Sequence, residues 1–112
     1  MISKNLMAAS TKPLILSILS RGEFYGYEII QKIIDLSGGI LEWSEGMLYP
    51  VLHRMERDLL IRSQWKVSGN GRRRKYYSLM ERGRQELEED RRQWLSVHKV
   101  FTELWDPSAV YD

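Results

Sequence analysis

Residues Ser44 to Leu79 read SEGMLYPVLHRMERDLLIRSQWKVSGNGRRRKYYSL, and their periodicity changes part-way along. Ser44 suits a helix N-cap, because its hydroxyl can accept a hydrogen bond from an otherwise unpaired backbone N–H. Leu48, Val51, Leu52, Met55 and Leu59 then recur at three- and four-residue spacing. That spacing predicts a helix, with one apolar face, running to about Leu59. Pro50 should distort it locally, and Gly46 carries the carbonyl that the proline ring would crowd. Beyond this helix, Gln64 to Val67 and Lys75 to Leu79 are short, strand-like runs. Ser68-Gly69-Asn70-Gly71 lies between them and contains an Asn-Gly turn signal, so the second half predicts a β-hairpin.

Working outward, two helices are expected before Ser44. Leu6 to Leu19 carries Leu6, Met7, Leu14, Ile15, Ile18 and Leu19 at helical spacing. Pro13 lacks an N–H, so the regular helix is expected to begin near Thr11, with a looser arm before it. Tyr25 to Leu36 buries Ile29, Ile30, Ile33 and Ile34 on one face, and Gly38-Gly39 ends it. Gly26, in its first turn, permits a close approach of another helix. After the hairpin, Glu81 to Leu104 is a long helix that Pro107 stops. Leu87, Trp94, Val97, Phe101 and Leu104 form an a/d-type stripe along it.

The chain has 112 residues, 43% hydrophobic and 29% charged, which fits one folded domain and argues against wholesale disorder. No cysteine is present, so disulfides, thiolate nucleophiles and cysteine zinc sites are all excluded. The longest apolar run, Pro13 to Leu19, is far short of the ~20 residues that cross a bilayer. A cytoplasmic location and no membrane contact are expected. The net charge is only +2, but it is unevenly placed. Residues 1–80 hold twelve Lys/Arg against seven Asp/Glu, whereas residues 81–112 hold five against eight. A basic front and an acidic tail suggest an anionic partner for the front alone, although segregation on a solvated surface is the plainer account.

Helix–helix–helix–hairpin is the order of a winged helix-turn-helix, in which the third helix enters the major groove and the hairpin lies along the backbone. The expected fold is mainly α with a small β-hairpin. Residues 1–80 form the DNA-binding domain, 81–106 a dimerisation helix and 107–112 a tail. Candidate DNA contacts on the third helix are Ser44, Glu45, Gly46, Met47, Tyr49, Pro50, His53 and Arg54. On the hairpin they are Arg72, Arg73, Arg74, Lys75 and Tyr76. Four adjacent cations can bind phosphates and release counterions. A cation run is by itself usually just solvated; its place in a hairpin after a capped helix sharpens the reading. Tyr76 and Tyr77 face opposite sides of a strand, so one packs inward.

Other chemistry is not signalled. His53 and His98 are 45 positions apart and pair with no carboxylate at metal-ligand spacing, so no metal is expected. No nucleophile elbow or phosphate-cradling glycine loop is present, so neither enzymatic activity nor a cofactor is expected. The apolar stripe must be buried somewhere, and the simplest burial is a homodimer. Trp94 and Trp105 also allow a second reading, a pocket for a flat aromatic ligand at that interface. A winged-helix protein-interaction module without DNA binding is the alternative function.

Gly26-Tyr27-Glu28-Ile29, the Ser44–Glu56 helix with its Leu48-Tyr49-Pro50, the Gly71–Leu79 strand and Glu81-Arg82-Gly83 together closely resemble the PadR family of transcriptional regulators. The resemblance covers roughly residues 10 to 105. It is nearest to the compact, LmrR-like branch with a single C-terminal helix. It implies a homodimeric repressor acting on an operator with two-fold symmetry. Its C-terminal helix would pack against its mate and the partner's first helix. The dimerisation residues are then Leu14, Ile18, Leu87, Trp94, Val97, Phe101, Leu104 and Trp105. A small aromatic effector would meet Trp94, Val97 and His98. Met47 departs from the small hydroxyl residue common at its position, which removes one polar DNA contact.

Overall fold

The computed structural model describes residues 2–108. Residues 109–112, the end of the expected tail, lie outside the described residues. The chain runs α1 (Lys4–Leu19), β1 (Phe24–Tyr25), α2 (Gly26–Ser37), α3 (Glu45–Arg57), β2 (Ile61–Val67), β3 (Arg73–Leu79) and α4 (Glu81–Trp105). The three strands form an antiparallel sheet in the order β1-β3-β2.

Helix α1 begins at Lys4, not near Thr11, and keeps Pro13 inside it. Ser3 caps it, its Oγ accepting from the Leu6 N–H at 3.2 Å. Proline removes only one backbone bond, and the first half of the helix is held by packing. Met7 lies against the core, and Trp43 Nε1 donates to its sulfur at 3.3 Å. Tertiary contact therefore overrides the local breaker.

Helices α2 and α3 stop in the same way. In α2, Gly38 takes the left-handed conformation (φ 62°) while the Gly39 N–H bonds to the Ile34 carbonyl. In α3 the left-handed residue is Leu59 (φ 64°), and the Leu60 N–H bonds to the Met55 carbonyl. Both are Schellman stops, which glycine ordinarily serves. The helix expected to reach Leu59 consequently ends at Arg57.

The hairpin is longer than expected, with Ile61 paired to Leu79 and Val67 to Arg73. Asn-Gly does not form a two-residue turn. Gly71 alone has positive φ (82°), and Asn70 Oδ1 accepts from the Arg72 N–H at 3.1 Å. Strand β1 was not anticipated, because two residues are too few to show alternation; Phe24 and Tyr25 pair with Tyr77 and Tyr76.

Ile15 and Leu16 of α1, Ile29 and Ile33 of α2, Leu48 and Leu52 of α3, and Ile61 and Tyr77 of the sheet are fully buried together. This core fixes the outer faces of α3 and the hairpin. Helix α4 joins it at one end only. Gly83 is its one buried residue, seated on the Leu60 carbonyl, and Lys12 of α1 reaches Glu86 at 2.6 Å and Asp90 at 3.4 Å. From Arg91 to Ser108 every residue is exposed. Among the described residues, no helix is long and apolar enough to cross a membrane, and no His/Cys/Asp/Glu group could hold a metal ion.

Candidate nucleic-acid interface

Helix α3 presents Ser44, Glu45, Gly46, Pro50, His53 and Arg54 to solvent. Ser44 Oγ is committed to its capping role, accepting from the Met47 N–H at 3.2 Å. Two residues expected on this outer face are placed otherwise. Met47 is half-buried against the core. Tyr49 is also half-buried, and its hydroxyl occupies the space that a Cβ on residue 26 would need, with Cζ 2.7 Å from that point. Gly26 thus serves the close approach anticipated for it, and Tyr49 is the side chain that approaches. Burial, then the Glu45 charge, raises the Tyr49 pKa, with Arg74 opposing, so the phenol stays neutral.

The hairpin cations divide into three environments. Arg72 and Arg73 are exposed, and Arg73 lies 5.6 Å from the Trp65 ring. Arg74 stacks its guanidinium 4.5 Å over Tyr25, and its Nε is buried with no hydrogen-bond partner among the described residues. Lys75 sits 3.9 Å from Glu56 of α3 and 5.7 Å over Tyr77. Glu56 also accepts from Ser63 N at 3.1 Å and Ser63 Oγ at 2.5 Å, so it ties the last turn of α3 to both strands. Tyr77 is the inward-facing tyrosine; burial, then Glu56 and Tyr49, push its pKa up to about 12. Tyr76 is half-buried on the other face, edge-on to Tyr25 at 5.4 Å.

Cross-strand partners share a face of the sheet. Ser63 and Lys75 turn toward Glu56, so the face with Trp65, Val67 and Arg73 is the one on the α3 side. Arg54 of α3 and Arg72 and Arg73 of the hairpin are exposed with no acidic partner within 4.0 Å among the described residues.

The family description "Transcriptional regulator PadR-like family" matches residues 15–89. The chain belongs to the PadR-like family. The chain is 39% identical over 79 residues to the transcriptional regulator YqjI of Escherichia coli, covering 70% of this chain and 36% of that protein. It is 28% identical over 89 residues to the negative transcriptional regulator PadR of Bacillus subtilis, covering 80% and 47% respectively. The chain therefore spans less than half the length of these two relatives. A PadR-like transcriptional regulator from Bacillus cereus superposes with a TM-score of 0.84 at 32% identity, over 94% of this chain and all of that one. PadR-like proteins regulate transcription and are not enzymes, so the winged-helix expectation and the non-enzymatic reading both hold.

At the far end of this PadR-like chain, α4 exposes Trp94, Val97, Phe101, Leu104 and Trp105, with Phe101 stacked on Trp105 at 4.8 Å. A groove of about 940 Å³ opens between α1 and α4, lined among others by Leu6, Leu14, Leu87 and Trp94. Of the three residues expected to meet a ligand, Trp94 lines this groove, whereas Val97 and His98 do not. Ile18, expected at a dimer face, is buried in its own core at 4% exposure, so little of it is left for a partner. Leu14 and Leu87 are half-buried, each with a surface on the groove.

Trp65, with 56% of its surface exposed, and the Glu56 clamp were both missed in the sequence. The period of two places Trp65 on the face of Ile61 and Ser63, but nothing local reveals that α3 stops short of covering it.

Proposed function

We propose that the chain is a dimeric, sequence-specific DNA-binding repressor. Residues 1–80 read the duplex, and residues 81–106 join the two subunits. The supporting observation is the pairing of an N-capped helix, exposed along its polar side, with unpaired arginines on the adjacent hairpin face. Helix α3 enters the major groove, where Glu45, His53 and Arg54 meet base edges and set sequence preference. Arg72 and Arg73 lie on phosphates and set affinity. Tyr49 acts beneath this surface by holding α3 against Gly26.

A second copy covers α4. Its apolar side chains are exposed from Trp94 to Trp105, about three turns, more than a lone soluble helix ordinarily shows to water. Two-fold symmetry then places the two α3 helices on half-sites roughly 10 bp apart, or a multiple of this. Selection from random duplexes followed by footprinting tests the reading. A recovered site with two-fold symmetry is expected. Failure to retard any duplex at low salt would replace this reading with a protein-interaction module. Phe101→Glu, which alters no contact of the protomer core, should give a monomer by light scattering; an intact dimer would place the interface elsewhere.

The α1–α4 groove favours one finer reading: a small, flat, apolar effector stacks on Trp94 and releases the operator. A planar dye should quench Trp94 fluorescence and weaken operator binding together. Quenching without any change in operator affinity would separate the groove from regulation.

A further inference from the structure

Helix α4 is uncovered beyond Asp90, so contacts before that point decide the angle at which it leaves the protomer. One is the seat of Gly83 on the Leu60 carbonyl. The other is a clasp on Lys12 of α1, whose ammonium lies 2.6 Å from Glu86 and 3.4 Å from Asp90. Among the described residues these are the only ion pairs or side-chain hydrogen bonds that join α1 to α4. Leu14 and Leu87 also bring the two helices together, but apolar contact is non-directional and does not fix an angle.

The clasp differs from an ordinary surface ion pair, which contributes little because water solvates both partners. The Asp90 side chain is only 15% exposed, and its Oδ2 is buried with no hydrogen bond among the described residues. Without the ammonium this charge would be poorly solvated and set against Glu86, one turn away on the same face. Lys12 therefore holds two mutually repelling carboxylates onto α1.

The geometry makes the clasp a lever. At 1.5 Å per residue, Asp90 lies about 10 Å along α4 from Gly83, and Trp105 about 33 Å. With Gly83 as pivot, a shift of about 1 Å at Asp90 becomes about 3 Å at Trp105. That is close to one base pair, since a turn of roughly 10 bp spans roughly 34 Å.

We infer that Lys12 is a positioning residue for operator choice: by holding Glu86 and Asp90 it fixes the angle between α1 and α4, and with it the half-site spacing that the dimer accepts. This rests on the dimeric, DNA-reading function proposed above. Lys12 acts through α4 and stands apart from the α3 and hairpin residues assigned to the duplex.

Two measurements test it, one of them without DNA. The chain has no cysteine, so Gly46→Cys gives one spin label per subunit on α3, where a Cβ meets nothing nearer than 3.9 Å. Dipolar spectroscopy on the free dimer then reads the distance between the two α3 helices. The labelled parent should give one narrow distribution. Adding Lys12→Met, which removes the charge and keeps an apolar stem, should broaden it or shift it by several ångströms. Lys12→Arg, and the exchange Lys12→Glu with Glu86→Lys, should restore it.

The second measurement uses unlabelled protein and the duplex recovered by selection, with one base pair added to or removed from the spacer. The parent should prefer the original spacing roughly thirtyfold, within the about 5- to 150-fold that one defect in a site costs. Lys12→Met should lower that ratio to about threefold and leave affinity for a lone half-site within about twofold, with the dimer intact by light scattering. Identical distance distributions in the parent and Lys12→Met would overturn the inference. So would an equal loss of affinity at every spacing, or loss of the dimer, which would make Lys12 an interface contact. A parent that retards no duplex would end the DNA-reading function and the spacing claim with it, whereas the label distances would still judge the clasp.

Discussion

Neutralising two hairpin arginines together, Arg72→Gln with Arg73→Gln, separates exposed charge from charge already engaged. Both guanidiniums are exposed, with no acidic partner among the described residues. In a dimer the change removes four cations from the duplex face. Each phosphate contact contributes about 0.9 to the slope of log affinity against log salt, so the slope should flatten by about 3.6. Over a fourfold range, about 50 to 200 mM salt, the variant should then lose about 150-fold less affinity than the parent. Lys75→Gln is the internal control. Its ammonium faces Glu56 at 3.9 Å, so in a dimer it should flatten the slope by well under the roughly 1.8 that two free cations give. Fluorescence anisotropy with a labelled duplex over a salt series measures both slopes. An unchanged slope in the double variant would show that the hairpin tip does not touch phosphate. A full 1.8 for Lys75→Gln would show that the Glu56 contact is surrendered on binding, and that exposure does not rank these cations.

Four substitutions test the backbone and the core. Gly83→Ala should destabilise the protein by about 2 kcal/mol or more, since the new Cβ falls on the Leu60 backbone carbonyl oxygen, which cannot step aside as a side chain could, and also meets Leu79 Cδ2 at 3.1 Å. The overpacking cost of about 1–3 kcal/mol outweighs the helix-propensity gain of up to ~1 kcal/mol. Gly46→Ala, whose Cβ meets nothing nearer than 3.9 Å, should be neutral or stabilising in the same melts, and the reverse order would contradict the packing argument. Leu59→Gly should raise stability by about 1 kcal/mol in urea titrations by relieving the left-handed strain, and a loss would mean that the exposed leucine makes an unseen contact. Tyr77→Phe should be nearly neutral at pH 7, because the buried hydroxyl has no partner among the described residues. Folding raises this phenol's pKa from 10 to about 12 because burial disfavours the phenolate, so ionisation leaves stability untouched below pH 10 and erodes it as pH rises toward 12. The parent should therefore weaken more steeply than Tyr77→Phe over that window; parallel curves would refute the burial effect.

Elements with a long period were legible in the sequence. Four apolar isoleucines at helical spacing and a capping serine suffice to place α2 and the start of α3, because burying one face is what stabilises a short helix. Strand β1 and the course of α1 through Pro13 were not legible, since each depends on a distant partner: β3 in one case, the core contact of Met7 in the other. The candidate site divides along the same line. Arg72 to Lys75 could be read as basic, but their separation into free, stacked and ion-paired cations depends on Trp65, Tyr25 and Glu56. Tyr49 shows the limit most directly. Its spacing along the helix suggests an outward position, yet the missing Cβ of Gly26 draws it in.

The Glu56 clamp has a mechanical consequence. One carboxylate receives two hydrogen bonds from Ser63 and faces Lys75, so it crosses from the end of α3 to both strands of the hairpin. Hydrogen bonds to a charged group contribute about 1.5–3 kcal/mol each, which makes hinging between helix and hairpin costly. Helix α3 and the hairpin therefore move as one rigid body. In the dimer proposed above, the adjustable coordinate would then be the separation of two such bodies, and a shift of a few ångströms in it would put both out of phase with a duplex without altering a side chain on either surface.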